Sequence, residues 1–350
     1  MGCQESTTVE LTAKELTLDC GDGIRLAAQF WCRDKKNDIQ GVSKGKDKIL
    51  RILCLHGWMD NSGIFDSFSK SLISRLESNS KDSTQEQQYG SVQVVALDLP
   101  GHGLSYHRSN DSPPMVRAEY LYYVAEAARL LQWQESFVLI GHSMGAGISL
   151  MYAAAFPEQI RQLILLDSVG NVSRPAENTS KFLRDFVKTR QRDGPLILEP
   201  ENLFYYPMWE ATLKARFRSP SYLPGKQYIS EEAARALVNR GVVEEKDPGT
   251  GKSRFRFRHD PRLQWSSLQY FSNEQLEALY RDIQCPTCIL LAQDGWPIEQ
   301  DAIARVKKFL KPIVLETRLP GSHHFFADPD SAGAAISETA SFLQMAQVNK

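Results

Sequence analysis

Short and nearly uninterrupted apolar runs recur along this chain, and segments with a helical spacing of apolar residues separate them. An apolar run of four to eight residues is typical of a strand buried on both faces of a parallel sheet. Strands that alternate with helices form βαβ units with right-handed crossovers. We therefore predict an α/β fold with a mostly parallel central sheet and helices on both faces. The runs are Ile49–Leu55, Val92–Leu97, Phe137–Ile140, Leu163–Leu166 and Cys288–Ala292.

The alternation of strands and helices stops over residues 170–283 and then resumes. This stretch contains segments with helical spacing but not the rhythm of the flanking parts. We therefore predict an inserted, mainly helical cap at 170–283 on a core formed by 15–169 and 284–347. Residues 1–14 are predicted to form an N-terminal tail.

Composition and charge exclude several classes of protein. The chain has 350 residues, of which 42% are hydrophobic and 24% charged, which is ordinary for a globular protein. Its 41 Lys and Arg against 42 Asp and Glu leave no excess of positive charge for a nucleic acid backbone. No apolar run reaches the roughly 18 residues of a membrane-spanning helix, and the first residues lack a secretory signal. We expect a soluble protein of the cytoplasm, with no nucleic acid partner.

The first six residues, Met1-Gly2-Cys3-Gln4-Glu5-Ser6, also fit the pattern M-G-x-x-x-[ST] for N-myristoylation. Cys3 could carry a second acyl chain, and two chains bind a membrane stably where one binds marginally. A match this short also arises by chance. A lipid anchor at Gly2 and Cys3, with membrane association, is therefore kept as the alternative location.

The cysteines favour a structural role. Six in a chain of this length are too few for a disulfide framework. Cys285 and Cys288 form a C-x-x-C pair, but a zinc site would need a second pair of ligands, and a redox motif would begin a helix. Here the pair leads into an apolar, strand-like run. We expect no metal site and a reducing compartment.

The strongest chemical signal is Gly141-His142-Ser143-Met144-Gly145, which matches G-x-S-x-G. It lies directly after a predicted strand and directly before a predicted helix, which is the context that this motif requires. Glycines at both ends let the strand and the helix pass close together, and the serine hydroxyl is then exposed at the start of the helix. We predict that Ser143 is a nucleophile.

A serine hydroxyl needs a histidine to accept its proton and a carboxylate to orient that histidine. Downstream, His323 occupies a Gly-x-His position after a predicted strand, and His324 is the alternative base. Asp294 follows the strand before that one and gives the chain order serine, acid, histidine. Asp167 ends the previous core strand and is the alternative acid. We favour His323 and Asp294.

Acyl transfer also needs N–H donors for the developing oxyanion. In proteins with this turn, one donor is the backbone amide after the nucleophile, here that of Met144. The second comes from a loop after an earlier strand, and we assign it to the amide of Trp58. For His56, in the same loop, we favour a bracing hydrogen bond over a role in the reaction.

At these residues the sequence resembles the α/β-hydrolase superfamily, and the resemblance covers nearly the whole chain. The matching elements, in the order that the family has them, are His56-Gly57-Trp58, Asp98-Leu99-Pro100-Gly101-His102-Gly103-Leu104-Ser105, the Ser143 motif, Asp294 and His323. Within the superfamily the chain resembles the serine hydrolase-like (kraken-type) group. Phe257-Arg258-His259-Asp260-Pro261-Arg262-Leu263 is similar to a segment of that group. One departure is Ala292-Gln293-Asp294-Gly295, where the family more often has Gly-x-x-Asp.

The resemblance implies a Ser-His-Asp triad, a helical cap over the pocket, a small or medium acyl substrate and no metal or organic cofactor. We expect a carboxylic ester hydrolase that forms an acyl-enzyme. A thioesterase, an amidase, or a ligand-binding protein with little turnover are the alternatives. The oligomeric state is left open. An aromatic cluster in the predicted cap either lines an apolar pocket or forms the cap's own small core: Phe204, Tyr205, Tyr206, Met208 and Trp209.

Overall fold

The computed structural model describes residues 11–33, 39, 49–78, 89–109, 112–113, 115–133, 136–194, 199, 202–225, 227–265, 267–268 and 270–345. The strands are β1 (Lys14–Asp19), β2 (Arg25–Trp31), β3 (Ile49–Leu55), β4 (Ser91–Leu97), β5 (Phe137–His142), β6 (Ile160–Leu166), β7 (Val242–Lys246), β8 (Ser253–Phe257), β9 (Thr287–Asp294) and β10 (Ile313–Ser322). The helices are α1 (Asp66–Ser78), α2 (Tyr120–Leu130), α3 (Met144–Ala155), α4 (Thr179–Asp193), α5 (Trp209–Arg218), α6 (Glu231–Gly241), α7 (Asn273–Asp282), α8 (Gln300–Phe309) and α9 (Pro329–Met345).

Eight strands form the central sheet, in the order β1-β2-β4-β3-β5-β6-β9-β10. The six strands from β4 to β10 in this order pair in parallel, whereas β1 and β2 pair antiparallel at one edge. Strands β4, β5 and β6 are almost wholly buried because both faces of the sheet are covered. The predicted α/β fold with a mostly parallel sheet is therefore confirmed.

The helices cover the sheet in two layers. Helices α2, α3, α7 and α8 pack against the side chains on one face of the sheet. Helices α1, α6 and α9 pack against the side chains on the other face. Side chains of one strand alternate between the two layers: Leu53 belongs to the first and Ile52 to the second. Among the described residues no helix is both long and apolar enough to cross a membrane.

The segment that joins β6 to β9, residues 167–286, adds no strand to the central sheet within its described part. It contains α4 to α7 and a separate hairpin of β7 and β8. Helix α7 packs against α3 and α8, and α6 packs on the turn Ser62–Phe65 before α1. Both helices therefore contribute to the two core layers. The predicted limits of the cap stay a prediction, and the predicted lipid anchor at Gly2 and Cys3 lies outside the described residues.

The carboxyl ends of the parallel strands meet at one edge of the sheet. Strand β4, which follows β3 in the chain, lies on one side of β3. Strand β5 lies on the other side of β3. Such a reversal of direction opens a crevice at the carboxyl ends of the strands. The residues that follow β3, β5, β6 and β10 gather at this crevice.

Candidate active site

Ser143 lies at the sharp turn between β5 and α3. Its backbone has φ 52° and ψ −113°, a conformation that is strained for a residue with a side chain. Two glycines permit the turn. A Cβ on Gly145 would lie 2.2 Å from the carbonyl oxygen of Leu55, and one on Gly141 would lie 2.5 Å from Cα of Ala146. The sequence prediction of a strand, a tight turn and a helix around Ser143 agrees with this geometry.

The amides of Met144 and Trp58 lie at the start of α3 and in the loop after β3. Met144 is the first residue of α3, so its N–H has no acceptor within the helix. Trp58 is followed by Met59, whose φ of 64° turns the backbone sharply at the cavity wall. The indole of Trp58 donates a hydrogen bond from Nε1 to the carbonyl of Leu263, at 3.0 Å. Their role as oxyanion donors stays a prediction.

The His323 ring contacts a carboxylate. Nδ1 of His323 donates a hydrogen bond to Oδ2 of Asp167 at 2.6 Å, and both side chains are buried. Since Nδ1 carries the proton, Nε2 is left as the acceptor. The His323 amide in turn donates to Oε1 of Gln227, at 3.0 Å, which fixes the backbone of the histidine. Ser143, Asp167 and His323 line the same cavity, although no hydrogen bond joins the Ser143 hydroxyl to the His323 ring.

The expectation that Asp294 would contact His323 is not met, because Asp167, the alternative acid, occupies that position. Asp294 is exposed at the end of β9. The chain around it supports Asp167 instead: the amides of Ala292 and Trp296 donate to the two Asp167 oxygens, each at 2.8 Å. A Cβ on Gly295 would come within 2.4 Å of that carboxylate, so the missing side chain leaves the room that Asp167 fills.

His324, the alternative base, belongs to a second buried cluster. Its Nε2 contacts Oδ2 of Asp60 at 3.2 Å, and Arg216 pairs with the other Asp60 oxygen. The neighbouring His324 and Arg216 hold the pKa of Asp60 well below its usual value, although burial opposes this. His142 completes the cluster, with Nδ1 at 3.6 Å from Oδ2 of Asp60.

The same cluster links the nucleophile turn to the His323 loop. Nε2 of His142 donates to the backbone carbonyl of His323 at 2.9 Å. Burial lowers the pKa of His142 to about 4, so the ring is neutral near pH 7. One ligand atom each from Asp60, His142 and His324 lies within 4.8 Å of the others, which within the described chain is the arrangement best able to hold a metal ion. Its carboxylate is already shared with Arg216, so we interpret it as a hydrogen-bonded support.

His56 and the Cys285–Cys288 pair, for which we predicted structural roles, lie in structural positions. His56 accepts a hydrogen bond at Nε2 from the Leu99 amide, 3.0 Å, and its Nδ1 donates to the carbonyl of Gly57, 2.7 Å, so it braces two loops. Cys285 and Cys288 are buried and unbonded to each other. Burial raises the pKa of the Cys285 thiol to about 12, which removes its reactivity at neutral pH.

A cavity of about 1240 Å³ opens above these residues, between the carboxyl edge of the sheet and the segment that joins β6 to β9. Within the described chain, four residues other than glycine have a positive φ, and three of them, Met59, Ser143 and Asp167, line this cavity. Backbone strain that concentrates in this way is typical of functional sites.

The aromatic cluster divides between the cavity and the surface. Phe204 and Tyr206 line the cavity, and their rings contact each other. The Arg254 guanidinium instead lies over the Tyr205 ring, 3.7 Å from the ring centroid. The Arg235 guanidinium lies over the Trp209 ring in the same way. Met208 is exposed and does not line the cavity. Only Phe204 and Tyr206 are therefore placed to touch a bound molecule, and their role in binding stays a prediction.

Comparison with known proteins decides the family. Residues 51–330 match the family model described as the alpha/beta hydrolase fold. The chain belongs to the α/β-hydrolase family. Within it, this hydrolase is 30% identical to a serine hydrolase-like protein of Danio rerio over 332 residues, which are 91% of this chain and 89% of that protein. It is 27% identical to a serine hydrolase-like protein of Dictyostelium discoideum, over 91% of this chain and 79% of the relative. The resemblance to the serine hydrolase-like group is confirmed.

Solved structures agree with this assignment. A hypothetical protein of Pseudomonas aeruginosa PAO1 superposes with a TM-score of 0.69 at 28% identity, covering 96% of this chain and all of the other. The thioesterase domain from the curacin biosynthetic pathway superposes with a TM-score of 0.65 at 19% identity, covering 94% and 99%, and shares the fold. Together the comparisons support hydrolase activity for this α/β hydrolase.

Proposed function

We propose that this α/β hydrolase cleaves a carboxylic ester through an acyl-enzyme on Ser143, with His323 as the base and Asp167 as the residue that positions it. The observation that carries the proposal is the 2.6 Å hydrogen bond between His323 and Asp167 beside the cavity that the strained Ser143 also lines. A carboxylate at Nδ1 holds the ring in the tautomer that can accept a proton at Nε2.

The reaction then proceeds in two halves. In the first, His323 Nε2 takes the Ser143 hydroxyl proton as the serine oxygen bonds to the substrate carbonyl carbon. The amides of Trp58 and Met144 stabilise the negative carbonyl oxygen. The tetrahedral intermediate collapses, the bond to the alcohol breaks, and His323 returns the proton to the leaving oxygen.

In the second half, His323 takes a proton from a water molecule, whose oxygen attacks the acyl carbon. Collapse of this intermediate breaks the bond to Ser143, which recovers the proton from His323, and the carboxylic acid is released. During each half the imidazolium is stabilised by Asp167, which stays ionised. Asp167 is suited to this because two backbone amides, of Ala292 and Trp296, already donate to its oxygens.

The cavity lining favours a substrate with a substantial apolar part. Large apolar side chains line it on several sides, including Met115, Leu263 and Phe271. Its volume of about 1240 Å³ exceeds the roughly 300–1,000 Å³ of most small-molecule pockets, so it can hold an acyl group of medium size.

Labelling with a fluorophosphonate probe tests the proposal. The wild-type protein should be labelled at Ser143, and Ser143→Ala should abolish labelling because it removes the attacking oxygen. His323→Ala should slow labelling strongly because the proton acceptor is lost. Hydrolysis of 4-nitrophenyl esters of increasing acyl length should then give measurable turnover. A folded wild-type protein that is neither labelled nor active on any ester would contradict the proposal and favour a ligand-binding role. Faster turnover of matched thioesters would favour a thioesterase.

A further inference from the structure

Arg117 is a cavity residue that has no acidic partner within the described part of the chain. It begins the short 3-10 helix Arg117–Glu119 before α2, is half-buried and lines the cavity. Its Nη1 donates a hydrogen bond to Oδ1 of Asn171 at 3.0 Å, and this neutral amide is its hydrogen-bond partner. Within the described residues, the guanidinium therefore lies at the cavity without a counter-charge.

Arg174, which is exposed, likewise has no acidic partner in the described part of the chain. Its guanidinium lies over the ring of Tyr270, 5.6 Å from the centroid. Tyr270 also lies within electrostatic range of Arg117, so the two arginines neighbour the same phenol. Arg117, Arg174 and Tyr270 all line the cavity. We call these three residues the Arg117 cluster.

The other arginines of the cavity differ, because each pairs with an acidic group. Arg108, Arg256 and Arg305 pair with Glu119, Glu245 and Glu277, which lie outside the cavity lining. Arg216 binds Asp60 and Arg262 binds Asp260, in both cases with the arginine largely buried. Asp167 binds His323. Glu299, which also lines the cavity, is exposed before the first turn of α8. The Arg117 cluster is therefore a local excess of positive charge in a site whose remaining charges are mostly balanced.

A half-buried cation without an acidic partner is costly, since it loses water without gaining a counter-charge. Burial lowers the pKa of Arg117, and the groups that oppose this are the hydroxyls of Tyr120 and Tyr270 rather than a carboxylate. A guanidinium has five N–H donors, and Arg117 uses one of them in the hydrogen bond to Asn171. The remaining donors and the charge suit a planar carboxylate, which arginine can bind through two parallel hydrogen bonds.

The cluster lies close to the reacting serine. Asn171, which accepts the Arg117 hydrogen bond, donates its own amide to the carbonyl of Gly147 at 3.0 Å. Gly147 lies one helical turn after Ser143, and its N–H contacts the Ser143 carbonyl at 3.3 Å. One turn of α-helix rises about 5.4 Å. Arg117 is therefore joined through Asn171 to the first turn of the helix that follows Ser143, and both Arg117 and Ser143 line the same cavity.

We propose that the Arg117 cluster binds an anionic group of the substrate, and that the preferred substrates are esters that carry a carboxylate a few bonds from the ester carbonyl. The inference rests on the proposed function, because it names the substrate class of the same site. The apolar walls hold the chain of such a substrate, and the cluster holds its charged end.

Matched ester pairs test this inference. The first pair is mono-4-nitrophenyl adipate, with a free carboxylate on the acyl side, and its methyl ester. The second is 4-(butanoyloxy)benzoate, with the carboxylate on the leaving group, and its methyl ester. We expect kcat/KM for the charged member of at least one pair to exceed that of its capped partner about tenfold, which corresponds to about 1.4 kcal/mol. Ser143→Ala supplies the background rate.

Arg117→Gln should reduce that preference to near unity, and Arg117→Lys, which keeps the charge but not the planar fork, should keep part of it. Because the preference is a ratio of two rates of one variant, it corrects for a general loss of activity. Arg25→Gln is the control, since Arg25 is exposed and pairs with Asp19 away from the cavity. Raising the salt concentration should weaken the preference in the wild type.

Two results would overturn the inference. One is a wild-type enzyme that hydrolyses the capped esters as fast as the charged ones. The other is a preference that survives in the Arg117→Gln, Arg174→Gln double variant. A wild type that hydrolyses none of the four esters would instead contradict the proposed ester hydrolysis itself, so the two failures can be told apart.

Discussion

At the scale of single residues, the position of the Asp167 carboxylate depends on a neighbour that has no side chain. Strand β9 lies between β6, which leads to Asp167, and β10, which leads to His323. Asp167 reaches across the end of β9 at Gly295, where a Cβ would lie 2.4 Å from its oxygens. Its φ of 46° turns the side chain into this space. The hydrogen bond to His323 follows from these two features together.

We therefore expect Gly295→Ala to displace the Asp167 carboxylate and to lower kcat about a hundredfold, since a shift of about 1 Å at a reacting group can cost this much. Steady-state hydrolysis of a 4-nitrophenyl ester measures the effect. Gly333→Ala is the matched control, because a Cβ there meets no atom within 4 Å. Equal activity of the two variants would show that the Asp167 position does not depend on Gly295.

The buried Asp60 cluster gives a second prediction at this scale. Asp60→Asn removes the negative charge that Arg216 and His324 share, and an uncompensated buried cation is left behind. We expect the free energy of unfolding to fall by about 3 kcal/mol, as measured by urea denaturation. Asp66→Asn breaks a more exposed pair with Lys70 and should cost less than about 1 kcal/mol. A similar loss in both variants would contradict the supporting role of the cluster.

Sequence reasoning predicted Ser143 as nucleophile and His323 as base because each occupies a motif position tied to the end of a strand. The structure brings both residues to one cavity. Sequence reasoning favoured Asp294 over Asp167, and the structure instead places Asp167 on His323. Both residues follow strands whose carboxyl ends meet at the same edge, so strand position alone does not distinguish them. The choice depends on the φ of Asp167 and on the space at Gly295, and both are properties of the folded backbone. The sequence signal for Asp167 was Gly295, directly after Asp294. A glycine at the end of β9 leaves room for the side chain that follows the neighbouring strand β6.

At the scale of secondary-structure elements, the segment between β6 and β9 is part of the core rather than a detached layer. Helix α6 places Leu237 and Val238 in the same apolar layer as α1 and α9, and α7 places Leu276 and Tyr280 against α3. The sequence prediction placed α7 in the cap because the cap was bounded only by where the alternation of strands and helices stops and resumes. A helix at the edge of an insertion has the same apolar periodicity whether it packs on the core or on the cap.

This packing predicts a difference between two leucines of the segment. Leu237→Ala in α6 should lower the free energy of unfolding by 2–5 kcal/mol, as expected for a buried leucine. Leu183→Ala in α4 removes the same atoms from a side chain that is 44% exposed, and it should cost less than about 1 kcal/mol. Chemical denaturation of both variants provides the measurement. A small effect at Leu237, or a separate unfolding transition for the segment, would show that α6 is not part of the core.

At the scale of the whole molecule, buried neutral histidines make stability depend on pH. Burial lowers the pKa of His142 and of His259 to about 4 each, against an ordinary value of about 6.5 in the unfolded chain. Between these values the unfolded chain binds more protons than the folded one, so stability increases with pH across this window. The contribution is fully present above about pH 6.5 and is lost as the pH falls towards 4.

We therefore expect the urea midpoint to fall steadily from pH 7 to pH 4.5, and His259→Gln to reduce the slope because one depressed group is removed. Equilibrium denaturation at four pH values over this range measures both effects. A midpoint that does not change, or that rises on acidification, would contradict the neutral state of these histidines in the folded protein.

The proposed function can be tested most directly by comparing two aspartate variants, Asp167→Asn and Asp294→Asn, in ester hydrolysis. Asparagine keeps the shape of either side chain but cannot hold His323 in the required tautomer or stabilise its charged form. We predict that kcat falls about 10³–10⁴-fold in Asp167→Asn and changes less than about twofold in Asp294→Asn, since the Asp294 side chain is exposed. A large loss in Asp294→Asn with near-normal activity in Asp167→Asn would contradict the proposed role of Asp167.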